Sequence, residues 1–126
     1  MDIDMTFLQR KELGVWGEST AEKYLSENGV RIVHKNYRTR YGEIDLIGKE
    51  EETFLFVEVK TRQSEKFGFP EEAVTADKIN RMETVIGDYF EQYDPGDVDW
   101  RIDIISIIRN PMTGKFELLW IKNVVA

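Results

Sequence analysis

Cysteine is absent from the 126-residue chain, and histidine occurs once, as His34. No disulfide framework and no thiolate metal site can be built from this composition, and a histidine-rich zinc centre is excluded with them. Any metal must therefore be held mainly by oxygen. Long apolar runs are also missing. None approaches the roughly 20 residues that a membrane-spanning helix needs, and MDIDMTFLQRKELG lacks the apolar core of a signal peptide. A cytoplasmic location with no membrane partner is expected. Positive charge is in deficit: 17 Lys and Arg against 24 Asp and Glu leave a net charge of -7, which argues against generic nucleic-acid binding by a basic footprint. With 41% hydrophobic residues and neither an internal repeat nor a low-complexity linker, the chain suits one sheet with helices on it. It is too short for two ordinary cores, which predicts a single domain over residues 1–126.

What the chain does have is concentrated in Gly42 to Arg62, GEIDLIGKEEETFLFVEVKTR. Two β-type apolar runs flank an acidic turn, and each carries charge where a packed strand is apolar: Asp45 in the first, Glu58 and Lys60 at the end of the second. Alternation puts Glu58 and Lys60 on one side of a strand and Leu55, Val57 and Val59 on the other. If Gly48 pairs with Thr53 around a four-residue loop (Lys49, Glu50, Glu51, Glu52), Asp45 lies opposite Phe56, and Asp45 and Glu58 become diagonal neighbours on one face. A slip of one residue would separate them. Diagonal Cβ atoms are roughly 7–8 Å apart, a span that two carboxylates can close onto one hard cation at about 2.0–2.2 Å for magnesium. Such a cation would hold a water beside Lys60.

Along the chain, Phe7 to about Asn28 reads as a helix. Leu13, Trp16, Gly17, Thr20, Ala21 and Tyr24 share one side, Leu25 lies at its margin, and Gly29 suits the C-terminal turn. Gly17 predicts close backbone packing. Glu18 falls on the border of the faces, ordinarily the place of a solvated charge. Arg31 to Asn36 predicts a short strand, Tyr37 to Tyr41 a donor-rich turn, and Phe69 to Glu72 a helix start with Pro70 in its first turn. Thr75 caps a further helix with an apolar stripe of Ile79, Met82, Ile86, Tyr89 and Phe90. Lys78 and Arg81 lie elsewhere on that helix, as solvated surface or in contact with phosphates. Asp94 to Asp97 is a turn cluster. Trp100–Ile108 and Phe116–Val125 read as strands joined by the hairpin-type connection Asn110–Gly114. Asp103, between apolar neighbours, is either matched by Arg101 on its own face or a further acidic part of the site, there as a support rather than a direct ligand. Arg31, Lys35, Arg38 and Arg40 form a basic run without an acid, continued by Lys60, Arg62 and Lys66. Beside an acidic pocket such a stripe suits a phosphate backbone, although short charge runs commonly only solvate a surface.

Asp45 followed after a turn by Glu58-Val59-Lys60 resembles the PD-(D/E)xK nuclease superfamily. The wider pattern Gly14-x-x-Gly17-Glu18-x-x-Ala21-x-x-Tyr24-Leu25, Asn36-Tyr37-Arg38, Gly42-Glu43-Ile44-Asp45, Phe56 to Lys60, Arg62 and Arg101-x-Asp103 is similar to the bacterial YraN family, whose site layout resembles that of archaeal Holliday junction resolvases. The resemblance implies an α/β fold of restriction-endonuclease type, a mixed sheet flanked by helices in the order α-β-β-β-α-β-β. It implies Mg2+ or Mn2+ held by Asp45, Glu58, the backbone carbonyl of Val59 and the helical Glu18. It also implies a role for Lys60 in orienting water or stabilising developing charge, with Arg38, Arg40, Arg62 and Lys78 on the substrate. Hydrolysis of phosphodiester bonds in nucleic acid, expected to be DNA rather than RNA and branched or otherwise structured, is the expected activity, in a monomer or a homodimer. The alternatives are a non-catalytic nucleic-acid-binding module of the same fold, and a structural protein in which Asp45, Glu58 and Lys60 form a buried ion network.

Overall fold

A computed structural model describes residues 5–63 and 75–125. The helix start expected at Phe69 to Glu72, and Lys66, lie outside the described residues. In chain order the elements are α1 (Phe7–Glu27), β1 (Arg31–Thr39), β2 (Gly42–Glu50), β3 (Thr53–Arg62), α2 (Ala76–Tyr93), β4 (Trp100–Arg109) and β5 (Phe116–Ile121). This is the expected α-β-β-β-α-β-β order.

α1 begins in a capping box, in which Thr6 and Gln9 each satisfy the other's backbone N–H. Its buried stripe is Leu13, Gly17, Ala21 and Leu25, every fourth residue. Leu25, expected at the margin, is fully buried, whereas Tyr24 is exposed. The stripe is fixed by Gly17: a Cβ there would stand 1.8 Å from Thr61 Oγ1 of β3, so only glycine lets helix and strand approach this closely. Gly29, at φ 90°, supplies the left-handed turn that ends the helix segment. In α2 the Thr75 hydroxyl accepts from Lys78 N–H, and Ile79, Met82, Val85, Ile86 and Tyr89 are buried. The cap and the stripe are those the sequence predicts, with Val85 added.

The five strands lie side by side in sequence order, antiparallel except for β3 and β4, which run parallel. α2 makes the crossover that a parallel pair requires. β3 is central and covered on both faces: Phe54 and Phe56 pack with the α2 residues, and Leu55 and Val57 with Ala21 and Leu25 of α1. That double burial explains its near-continuous apolar run.

Three boundaries differ from expectation. β1 continues to Thr39, and the turn is only Arg40 and Tyr41, because Tyr37 packs edge-on to Tyr89 and donates its hydroxyl to Gln92 at 2.7 Å. β2 and β3 pair out to Glu50 and Thr53, so the loop between them is Glu51 and Glu52, not four residues. Lys49 lies over the Phe54 ring and Glu50 reaches Arg101 at 3.3 Å, which holds the strand ends together, while Glu51 at φ 54° makes the turn. The third is β5, which stops at Ile121.

Candidate functional site

The observed β2–β3 register differs from the expected one by two residues, which leaves the paired residues Leu46 to Glu50 on their expected faces. Pairing ends at Leu46 and Val57. One step further the strands part, and it is the Asp45 carboxylate that accepts the Val59 N–H, at 2.8 Å. Asp45 thus sits in a fork of the sheet with its charge against the β3 backbone.

On the other side of Asp45, β1 breaks its alternation. Asn36 lies between the pairs Lys35–Leu46 and Tyr37–Ile44 with φ of 53°. Across this break Leu46 belongs to the α1 core, whereas Ile44 joins the α2 core. Asparagine tolerates the left-handed region better than other residues with a Cβ. With its amide in the orientation its neighbours require, Asn36 donates to Glu18 Oε1 at 2.8 Å and Glu43 Oε1 at 2.9 Å. The α1 glutamate therefore arrives at the fork, as the family resemblance implies, on the helix that Gly17 brings against Thr61.

Four carboxylates now share one field. Burial above all, then Glu58, raises the Asp45 carboxyl from its ordinary 3.8 to about 7; the Val59 N–H opposes this, and Glu18 and Glu43 add to it. Glu18 is raised by burial first and then by Glu43 and Glu58, against Arg38 and a hydrogen bond with Asp45. Glu58 has a counter-charge of its own, the Lys78 ammonium from the first turn of α2, at 2.8 Å. Its side chain is only 13% exposed, so this pair is shielded from water more than a surface ion pair.

Several expected site residues stand differently from the sequence reading. Lys60 is exposed and makes no ion pair with a described residue, so it does not close a buried network with Asp45 and Glu58. Lys78 is neither solvated surface nor an open phosphate ligand, because it is spent on Glu58. Among the described residues no three acidic or histidine side chains are gathered closely enough to hold a metal ion. Val59 meets Asp45 through its N–H, while its side chain packs on the α1 core. The basic stripe is largely matched once the chain folds: Lys35 pairs with Glu22 of α1 at 3.3 Å, Arg38 with Glu43 at 3.3 Å, and Arg40 bonds the Tyr41 hydroxyl. Arg38 nevertheless keeps 74% of its side chain exposed beside the fork. Arg62 closes β3, opposite Ile108.

Asp103 is not a support of this site. It is fully buried and takes Arg101 Nε at 3.0 Å, Trp120 Nε1 at 2.9 Å and Asn123 N–H at 2.9 Å, none of them a residue of the fork. The match with Arg101 on its own face is the reading that holds. Sequence reasoning missed the Asn36 amide as the group that gathers Glu18 and Glu43. An asparagine inside a β-type run, able to turn left-handed, was the available signal.

The profile of the uncharacterised protein family UPF0102 matches residues 17–107. A UPF0102 protein of Syntrophomonas wolfei is 42% identical over 98 residues, covering 78% of this chain and 85% of the relative. Another, from Caldicellulosiruptor saccharolyticus, is 36% identical over 116 residues, 92% and 98% of the two chains. A third, from Chlorobium phaeobacteroides, is 41% identical over 109 residues, 86% of each. The profile spans the fork from Glu18 through Lys78 and on to the buried Asp103, and the chain belongs to this family, UPF0102, the YraN family whose motifs its sequence resembles.

Proposed function

We propose that the fork is the active site of a divalent-cation-dependent nuclease acting on DNA. The observation that carries this reading is the crowd of carboxylates around Asp45, with its ionisation suppressed to about pH 7. Acids whose pKa values are raised by burial and by one another recur where a site is built for a cation or a proton transfer. The donors are all oxygen, which suits Mg2+ or Mn2+. Asp45 and Glu58 would hold the ion, with Glu18 beside them and the Val59 carbonyl as the further ligand the family resemblance implies. When bound, it lowers the pKa of a water and neutralises phosphate charge. Lys60, one alternation beyond Glu58 and open to solvent, has the position to stabilise charge developing on phosphate. Exposed Arg38 offers the planar donor fork that phosphate recognition uses, with Arg40 two residues on and Arg62 two residues beyond Lys60 as further candidates.

The test is cleavage of branched, flapped and single-stranded DNA and RNA with manganese. Lys60→Ala is expected to lower the rate by about 100-fold or more, in line with removal of one charge-stabilising group. No metal-dependent cleavage of any substrate by the parent protein would sink the enzyme reading. A second reading, a nucleic-acid-binding module without chemistry, is favoured by one observation: Glu58 is held by Lys78 rather than gathered with Asp45 and Glu18. That module would bind DNA with a steep salt dependence regardless of metal.

A further inference from the structure

The Glu58–Lys78 pair joins the middle of the candidate site to an element that the fork does not otherwise use. Glu58 is nearly buried at the end of the central strand, and Lys78 reaches it from the first turn of α2 with a third of its side chain exposed. Asp45 and Glu18 make no ion pair with a described residue; Asp45 has the Val59 N–H, and Glu18 has the Asn36 amide and the field of Arg38. The charge of Glu58 is thus balanced by one ammonium on a flexible four-carbon stem, while the Arg38 guanidinium serves Glu43. Resting on the nuclease reading above, we infer that Lys78 is an exchangeable counter-ion. Its ammonium neutralises Glu58 until a divalent cation takes its place, and the released lysine then turns to the phosphate backbone of the nucleic acid.

The physical case is competition for one carboxylate. Glu58 cannot serve a cation fully while it holds Lys78 at 2.8 Å, so the two positive charges exclude each other and their binding is linked. The lysine leaves cheaply because it is already partly solvated, whereas Glu58, almost enclosed, must always be given a positive partner. A cation with two charges and several coordination positions can serve Asp45 and Glu58 together, which one ammonium at Glu58 does not. Exchange thus couples cation entry to the appearance of a phosphate-binding charge at the mouth of the site.

The experiment compares the full-length protein with Lys78→Met, which keeps the stem, and with Arg81→Met, which removes the same charge from an exposed position on the same helix. Mn2+ affinity is read by calorimetry or electron paramagnetic resonance without substrate. DNA affinity is read with Ca2+ and with chelator. Lys78→Met is expected to bind Mn2+ about 5- to 30-fold more tightly, within the usual range of coupling between linked sites, while Arg81→Met stays near the parent. Its DNA affinity should fall several-fold with Ca2+ and hardly at all with chelator, where the parent's Lys78 is still engaged. Unchanged or weaker Mn2+ binding by Lys78→Met overturns the exchange, as does an equal loss of DNA affinity with and without Ca2+. A parent protein that binds no Mn2+ overturns it too, but through failure of the nuclease reading itself, a result seen in the parent and not in the variant.

Discussion

Burial first, and three neighbouring glutamates after it, raise the Asp45 carboxyl from its ordinary 3.8 to about 7. The sign of the linkage follows. The folded state binds this proton more tightly than the unfolded chain does, so stability is fully present below about pH 4 and is lost as pH rises through 7. Asp45→Asn keeps an oxygen for the Val59 N–H but cannot ionise. In urea melts it should be more stable than the parent at pH 8, by roughly 1–3 kcal/mol after discounting for partial exposure, with the gain vanishing at pH 4. A difference independent of pH would show that Asp45 titrates normally. Lys60 is a contrasting case. It is exposed and unpaired among the described residues, so Lys60→Ala should change stability by no more than about 0.5 kcal/mol. A loss near 3–5 kcal/mol would restore the buried-network reading.

α1 makes its closest backbone approach to the central strand at one glycine, Gly17. A methyl group at position 17 would enter Thr61, with Oγ1 at 1.8 Å, Cβ at 2.9 Å and Cγ2 at 3.0 Å. The last two belong to the body of the side chain, which cannot swing away like a flexible tip. Gly17→Ala gains about 1 kcal/mol in helix propensity, yet overpacking should outweigh it and leave a net loss of about 1–2 kcal/mol. Thr61→Ala in the same chain should recover part of that loss, an interaction that a double-mutant cycle measures. Additive effects would mean that helix and strand separate without strain. β2 teaches the complementary lesson. Its hairpin register differs from the expected one by two residues, an even slip that keeps the paired residues on their faces, but Ile44 and Leu46 lie in different cores, so the Val59 N–H and not strand parity holds Asp45 near Glu58.

Across the whole molecule, one buried network fastens strands that are not neighbours. Arg101 of β4 reaches over β3 to Glu50 of β2 at 3.3 Å and holds Asp103, which in turn takes Trp120 of β5 and the Asn123 backbone. One further nitrogen, Arg101 Nη2, is buried without a hydrogen-bond partner, so the guanidinium depends on the Asp103 charge. Asp103→Asn should therefore cost about 3–5 kcal/mol in denaturant melts, and adding Arg101→Met should recover part of it by removing the stranded cation. A loss under about 1 kcal/mol in the single variant would show that the network is not what holds these strands. The sequence by itself determined the order of elements, the Thr75 cap, the apolar stripe of α2 and the close approach at Gly17. Helix and strand periods, caps and turns arise between residues a few positions apart, and such interactions are written in the local pattern. Only the tertiary structure decided that Lys78 rather than Lys60 meets Glu58, that Asn36 turns left-handed to collect Glu18 and Glu43, that acids of α1 and β2 answer the basic stripe, and that Asp103 serves the strands and not the fork. Charge pairing follows strand register and helix packing, which bring together residues as far apart as Glu50 and Arg101, and no local spacing records which of several like charges will arrive.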